Sequence, residues 1–401
     1  MAKGLFTQGM CILLRAPMSV ESIRARLDRF QFVGVQVSPE VEDQAAELEN
    51  LDAYDPTTGD CVGTLAFEFR PEVGGHLLVT PSSAPWPDEM GDPDESPERF
   101  VAWSLGQFGP LAFPGCLQRA MAQSWGWEDA PEVVPDHVAH VRLLISYVMV
   151  GEDDPEADST SLVPKDYDSV EELHFLTRAA TALLEAPEAL CYFNPGGEVL
   201  RDESGLRQGL NYAWNHDLPP LDMWTNVRLF TDEDGWVIMD TVGNGQLDLP
   251  DIEAIFPRQS FEPSTVESFL RHASLYLLTG DDEVCTGDTA DGPGDVSWQA
   301  IECDEGLSDP PRPTIRWFPE DGDRPIPDHL LDPGSYDEDA DELDLDELDE
   351  RLAGDGSDGM SMDEAEDFLN DLPPDLFAEG EYDFLDPRDD DEDDEDVSPP
   401  F

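Results

Sequence analysis

The chain has 401 residues, with 92 acidic against 21 basic, a formal net charge of −71. Such a balance excludes the phosphate backbone of nucleic acids and anionic membrane surfaces as partners. Tyr336–Phe401 alone carries 30 acids and 2 arginines, and the preceding residues carry 62 acids and 19 bases, so an acidic body precedes a still more acidic tail.

In chain order, Gly9–Pro17 reads as a strand and Ser19 as the cap of a helix to Phe30. Phe32–Val37 reads as a strand, and Val41–Asp60 as polar loop with some helix. Thr64–Arg70 and Gly75–Pro81 form a hairpin. The Pro/Gly/Trp-rich stretch Pro85–Gly115 holds short helical pieces at best, and a helix follows near Cys116–Trp125. Val141–Val150 is a strand, Ser169–Glu185 an apolar helix capped by Ser169, and Leu190–Phe193 a buried strand. Asn226–Phe230 and Trp236–Asp240 make a hairpin across Asp234-Gly235. Pro250–Phe256 and Thr265–Leu278 read as helices, and Trp298–Cys303 and Thr314–Phe318 as late strands.

These elements predict an α+β fold with mixed or antiparallel sheets and packed helices, followed by a disordered acidic tail. The order strand, helix, strand, hairpin occurs twice, which predicts two similar β-α-β-β halves. The expected division is an N-terminal half over 1–135, a C-terminal half over 136–330 and the tail over 331–401. Two short amphipathic runs in the tail, around Leu345–Leu352 and Met362–Leu372, suit either folding on a partner or plain solubilisation. Six cysteines without a CxxC, no signal-peptide pattern and no apolar run of about 20 residues predict a cytoplasmic protein with reduced thiols. The near absence of lysine, only Lys3 and Lys165, fits either codon usage or a high-salt setting.

Two segments stand out chemically. The first, PWPDEMGDP with AWSLGQFGP, is either a rigid recognition loop presenting Trp86, Asp88, Asp92 and Trp103, or a loop closing the core with its rings inside. The second surrounds Trp224 and Arg228, and Arg228 is placed to pair with Asp240 or Asp222. His137 and His140 form an HxxH, but a strand starting there would put them on opposite faces. Thr286–Asp295 has the composition of a calcium loop without its ligand order. No P-loop, GxGxxG, GxSxG or zinc pattern occurs, so no cofactor and no metal is expected.

The strings PWPDEMGDP, AWSLGQFGPLAFPG, CYFNPGGEVL, LPPLDMWTNVRLF and DGWVIMDTVGNGQLDLPD resemble a bacterial family of uncharacterised proteins carrying a domain of unknown function. The resemblance spans residues 9–320, supplies no catalytic residues, and implies at most an immunity- or adaptor-like role.

The leading functional reading is a non-enzymatic interaction module for a basic protein. The alternative is a hydrolase with paired carboxylates among Asp88, Asp92, Asp222 and Asp240 in a cleft between the halves. Mimicry of nucleic acid by a carboxylate-bearing face is a lesser alternative.

Overall fold

A computed structural model describes residues 4–28, 51–147, 163–164, 166–232, 234–280, 283–320 and 325–331. The strand expected over Phe32–Val37 and the acidic tail beyond Leu331 lie outside these residues. The longer helices are α1 (Val20–Leu27), α2 (Pro97–Ser104), α3 (Cys116–Ala122), α4 (Ser169–Leu184), α5 (Glu203–Asn215) and α6 (Pro263–Thr279). None of the described helices is long and apolar enough to cross a membrane.

The first sheet contains β1 (Gln8–Leu14), β2 (Leu51–Asp55), β3 (Asp60–Glu68), β4 (His76–Ser82), β5 (Ala139–Ser146), β6 (Ala189–Asn194) and β7 (Val199–Arg201), in the order β2-β3-β4-β5-β1-β6-β7. Every neighbouring pair is antiparallel. It follows that β1 and β4 run parallel with β5 between them, and β5 and β6 run parallel with β1 between them. With α4 in their connection and β1 between them, β5 and β6 have the split β-α-β order, whereas the next described strand after α1 is β2 at the far edge of the sheet.

The four-element repeat expected from the sequence is therefore not matched in strand order among the described residues. The hairpin β3–β4 belongs to this sheet, whereas the later hairpin belongs to the second. A domain boundary at 135/136 is also corrected: β1 is hydrogen-bonded to β5 on one side and β6 on the other, so the cut would divide a sheet. Residues Met1–Tyr336 form one compact unit.

Strand β1 is buried along its whole length, so its side chains serve two cores. Met10, Ile12 and Leu14 face α1 and α4. Asp168 caps α4 by accepting from the Glu171 N–H at 2.9 Å, so Ser169 is the first helical residue rather than the cap. Leu173, Leu176, Ala180 and Leu183 lie on the buried stripe of α4. Cys11 and Leu13 face the opposite way, into a core closed by the Pro/Gly/Trp-rich segment. Trp86 sits edge-on to Trp103, Phe108, His140 and Phe193 at ring separations of 6.1, 5.5, 5.5 and 5.3 Å.

His137 and His140 tie that segment to β5. The His137 Nε2 accepts the Trp86 N–H at 2.9 Å, with Nδ1 2.7 Å from the Val134 carbonyl. His140 Nδ1 lies 2.9 Å from the Ala84 carbonyl. Burial, reinforced by the Arg142 charge, pulls the His140 imidazole down to about 3. A histidine titrates near 6.5 when unfolded, so the unfolded chain binds the extra proton between these values, and stability falls as pH falls through that window. Relative to a His140→Gln variant, the wild type is expected to lose about 2 kcal/mol between pH 7.5 and 5, read from denaturant unfolding at the two pH values.

The second sheet contains β8 (Asn226–Thr231), β9 (Trp236–Val242), β10 (Asp251–Pro257), β11 (Thr289–Gly292), β12 (Val296–Cys303) and β13 (Thr314–Pro319), in the order β11-β12-β13-β10-β9-β8. Only β10 and β13 pair in parallel. Helix α6 covers one face through Val266 and Leu270, packed with Phe256, Trp298 and Trp317. The segment expected as a helix over Pro250–Phe256 is thus strand β10. It is buried on both faces, which erases the period-2 signal.

Candidate functional site

The face of the second sheet turned away from α6 carries charge where a core would be apolar. Register places Arg228 opposite Asp240, Asp240 opposite Glu253, and Glu253 beside Arg316, so four adjacent strands each contribute one charged residue to a single row. Each of the four is fully buried. Arg228 and Asp240 pair in a two-pronged geometry, Nε to Oδ1 at 3.0 Å and Nη2 to Oδ2 at 2.7 Å. Arg228 Nη1 also meets Glu198 at 3.0 Å, and Glu198 accepts from Arg119 Nε at 2.6 Å. Arg316 holds Glu253 through Nε at 2.9 Å and Nη2 at 2.8 Å.

The strap joining β12 to β13 closes over this row. Arg312 reaches Asp240 at 2.5 Å and Asp251 at 3.1 Å. Ser308 donates to Asp240 and accepts from Arg228 at 2.8 Å. The Leu307 N–H donates to Glu253 at 2.7 Å. The network therefore joins four arginines to four carboxylates, Arg119, Arg228, Arg312 and Arg316 with Glu198, Asp240, Asp251 and Glu253. A neutral sum is what makes burial of so many charges tolerable.

Individual carboxylates differ. Burial alone would raise Asp240, and the guanidiniums of Arg228 and Arg312 more than offset it, holding the group below its ordinary value. At Glu198, Asp251 and Glu253 burial prevails over the arginine contacts and the carboxyls lie above theirs. Burial pulls the Arg228 guanidinium down, and Asp240 and Glu198 reverse that, leaving it raised.

Next to this network lies an open cleft of about 1160 Å³. Its walls come from three segments that the network fixes. Leu249 and Pro250 precede Asp251; Cys303 to Glu305 begin the strap; the Leu331 carbonyl accepts from Arg316 Nη1 at 3.0 Å. Leu277 and Gly280, at the end of α6, complete the wall. Leu249, Leu277, Val284 and Leu331 line it with partly buried apolar side chains, and Asp248, Glu283, Glu302, Asp304 and Glu305 line it exposed. Among the described residues, no lysine, arginine or histidine lines it. Glu302 is fixed in place by accepting the Thr286 N–H at 3.1 Å.

The sequence-predicted residues fall in separate settings. Asp88 is half-buried and accepts the N–H groups of Leu117 and Gln118, both at 2.8 Å, at the start of α3. Burial raises its carboxyl despite those bonds. Asp92 is exposed and organises a turn by accepting the Asp94 N–H at 2.8 Å. Asp222 is exposed and ion-paired with Arg271. Asp240 is enclosed in the network. Trp86, Trp103, Trp224 and Arg228 are all buried, at 5, 6, 0 and 0 % exposure. Among the described residues, the large exposed rings belong to Trp125, Tyr212, Trp214 and Tyr276.

Of the expected set, Arg228 pairs with Asp240, and Trp86 packs edge-on to Trp103 inside the core. Sequence reasoning missed Glu198, Asp251, Glu253, Ser308, Arg312 and Arg316. A signal existed: VRLF, IMDT, IEAI and IRWF each hold one charge at the same inward place of an apolar strand. Among the described residues, no group of three or more His, Cys, Asp or Glu is placed to hold a metal ion.

Residues 240–318, from Asp240 of the charged row to the penultimate residue of β13, match the model of a family described as a domain of unknown function, DUF4261. Neither a curated protein nor a solved structure matches the chain.

Proposed function

We propose that the chain is a non-enzymatic interaction module, immunity- or adaptor-like, that binds a basic protein in the cytoplasm. The observation that carries this reading is where the fold puts its scarce cations. Among the described residues Arg142, Arg201, Arg228, Arg312 and Arg316 are buried, against six buried carboxylates, Asp55, Glu172, Glu198, Asp240, Asp251 and Glu253. These nearly cancel, so folding hides almost none of the net charge of −71 while taking scarce cations off the surface. A surface of one sign speeds encounter with, and selects for, a partner of the opposite sign.

Two further observations support it. All six cysteines are free, which fits a reducing compartment. The four carboxylates considered for hydrolysis are each engaged by different groups: Asp88 with backbone N–H groups of α3, Asp92 with its own turn, Asp222 with Arg271, Asp240 with two arginines. The test is affinity capture from native lysate by the full chain, with recovered proteins identified by mass spectrometry. A set enriched in basic proteins and released by moderate salt supports the reading. A set no more basic than the lysate contradicts it.

A further inference from the structure

The cleft beside the charged network has a chemistry of its own, and we infer that it is the docking site for a segment of a partner protein in which arginine or lysine alternates with apolar residues. The inference rests on the basic-partner reading and narrows it to one place and one kind of ligand.

Three features converge there. The lining acids Asp248, Glu283, Glu302, Asp304 and Glu305 are all exposed, and among the described residues no base lines the cleft beside them. The C-terminal end of the 17-residue helix α6 reaches the same wall through Leu277 and Gly280, with no basic residue in its last turn. The partial negative charge of such a helix end attracts a cation and adds to the acids. Leu249, Leu277, Val284 and Leu331 line the same cleft as partly buried apolar side chains, so a ligand that offered charge alone would leave that apolar surface in water.

The size and spacing choose the ligand. A volume of about 1160 Å³ exceeds what one ion or one side chain fills. The acids do not converge as metal ligands would, for no described cluster of three or more His, Cys, Asp or Glu is placed to hold a metal. Exposed carboxylates beside partly buried apolar side chains instead suit an extended chain whose guanidinium or ammonium groups reach the acids while its apolar side chains cover the leucines.

The test is fluorescence anisotropy of the full chain with three labelled decapeptides: alternating Arg–Leu, Arg–Ser and Glu–Leu. It is repeated on a cleft variant, E302Q/D304N/E305Q, and on a tail variant in which Asp389–Asp396 is replaced by Ser and Gln. The expected result is that Arg–Leu binds most tightly and Glu–Leu does not bind. The cleft variant weakens Arg–Leu about 10-fold and the tail variant less than about 2-fold. If the tail variant alone removes binding, the cleft assignment is overturned while a basic partner remains. If Arg–Ser binds as well as Arg–Leu, the apolar lining has no part and the alternating ligand is wrong. If no arginine peptide binds, both readings fall. Hydrogen exchange on the wild type gives an answer independent of how the variants fold: Arg–Leu is expected to protect residues 301–305, and protection confined to other segments overturns the assignment.

Discussion

Replacing Asp240 with alanine is expected to cost about 3–5 kcal/mol of unfolding free energy, read from denaturant unfolding of the full chain. The size follows from what is left behind. Asp240 accepts from Arg228 through both oxygens, from Arg312 at 2.5 Å, and from Ser308. Both arginines are buried, at 0 and 6 % exposure, and neither finds water when the carboxylate goes. Most of the cost is therefore the stranded guanidinium charge and not the lost attraction. Two consequences separate this account from simple loss of packing. Adding Arg228→Met to Asp240→Ala should recover part of the loss, because one stranded charge is removed. Amide exchange in the strap around Leu307–Arg312 should quicken more than in α4, which lies on the first sheet.

Trp224→Ala should destabilise by a similar amount, about 3–5 kcal/mol, measured the same way. The indole is fully buried, donates its ring N–H to Thr177 Oγ1 at 2.9 Å, and stands edge-on to His174 at 4.9 Å. Its carbonyl accepts from Asn194 at 3.3 Å and Gln246 at 2.9 Å, so this residue connects α4, β6 and the turn after β9. Trp224→Phe removes the hydrogen bond and part of the ring volume, and should cost less than half as much. A Trp224 that served a partner instead would show the opposite pattern: little change in stability and a large change in binding.

The fold was legible where local chemistry and burial agreed. Helix α4 announces itself by a stripe at helical spacing, and the β8–β9 hairpin by Asp234-Gly235 between two apolar runs. The Arg228–Asp240 pair follows from that hairpin's register. Helix α5 was missed because Gly205, Gly209 and two asparagines lower its propensity. Its start depends on Asp202, whose side chain accepts the Gly205 N–H at 2.7 Å, and Gly209 lets Met223 approach. The Trp, Pro and Gly of the aromatic loops suit either an exposed recognition surface or a loop closing the core with its rings inside. Only the second face of β1, through Cys11 and Leu13, explains why their rings go inside.

The site was less legible than the fold. Arg312 and Ser308 lie in an irregular strap, and their partners stand more than 55 residues away in sequence. Pairing over such separations depends on the parallel contact of β10 with β13, which no local pattern specifies. Glu253 made β10 look helical because a charge inside an apolar run reads as the polar face of a helix.

If the buried network holds the acidic cleft in shape for a basic ligand, loosening it without stranding a charge should weaken binding while the fold persists. Replacing Glu253 and Arg316 together with methionine removes one balanced pair, so no charge is stranded and the fold should persist with its stability little changed. It also removes the bonds from Arg316 to the Leu330 and Leu331 carbonyls and from Leu307 to Glu253, which position the cleft walls. The decisive measurement is the Kd of this double variant for the Arg–Leu decapeptide. The account predicts a folded protein that binds at least about 10-fold more weakly than the wild type. A folded double variant with wild-type affinity would contradict it.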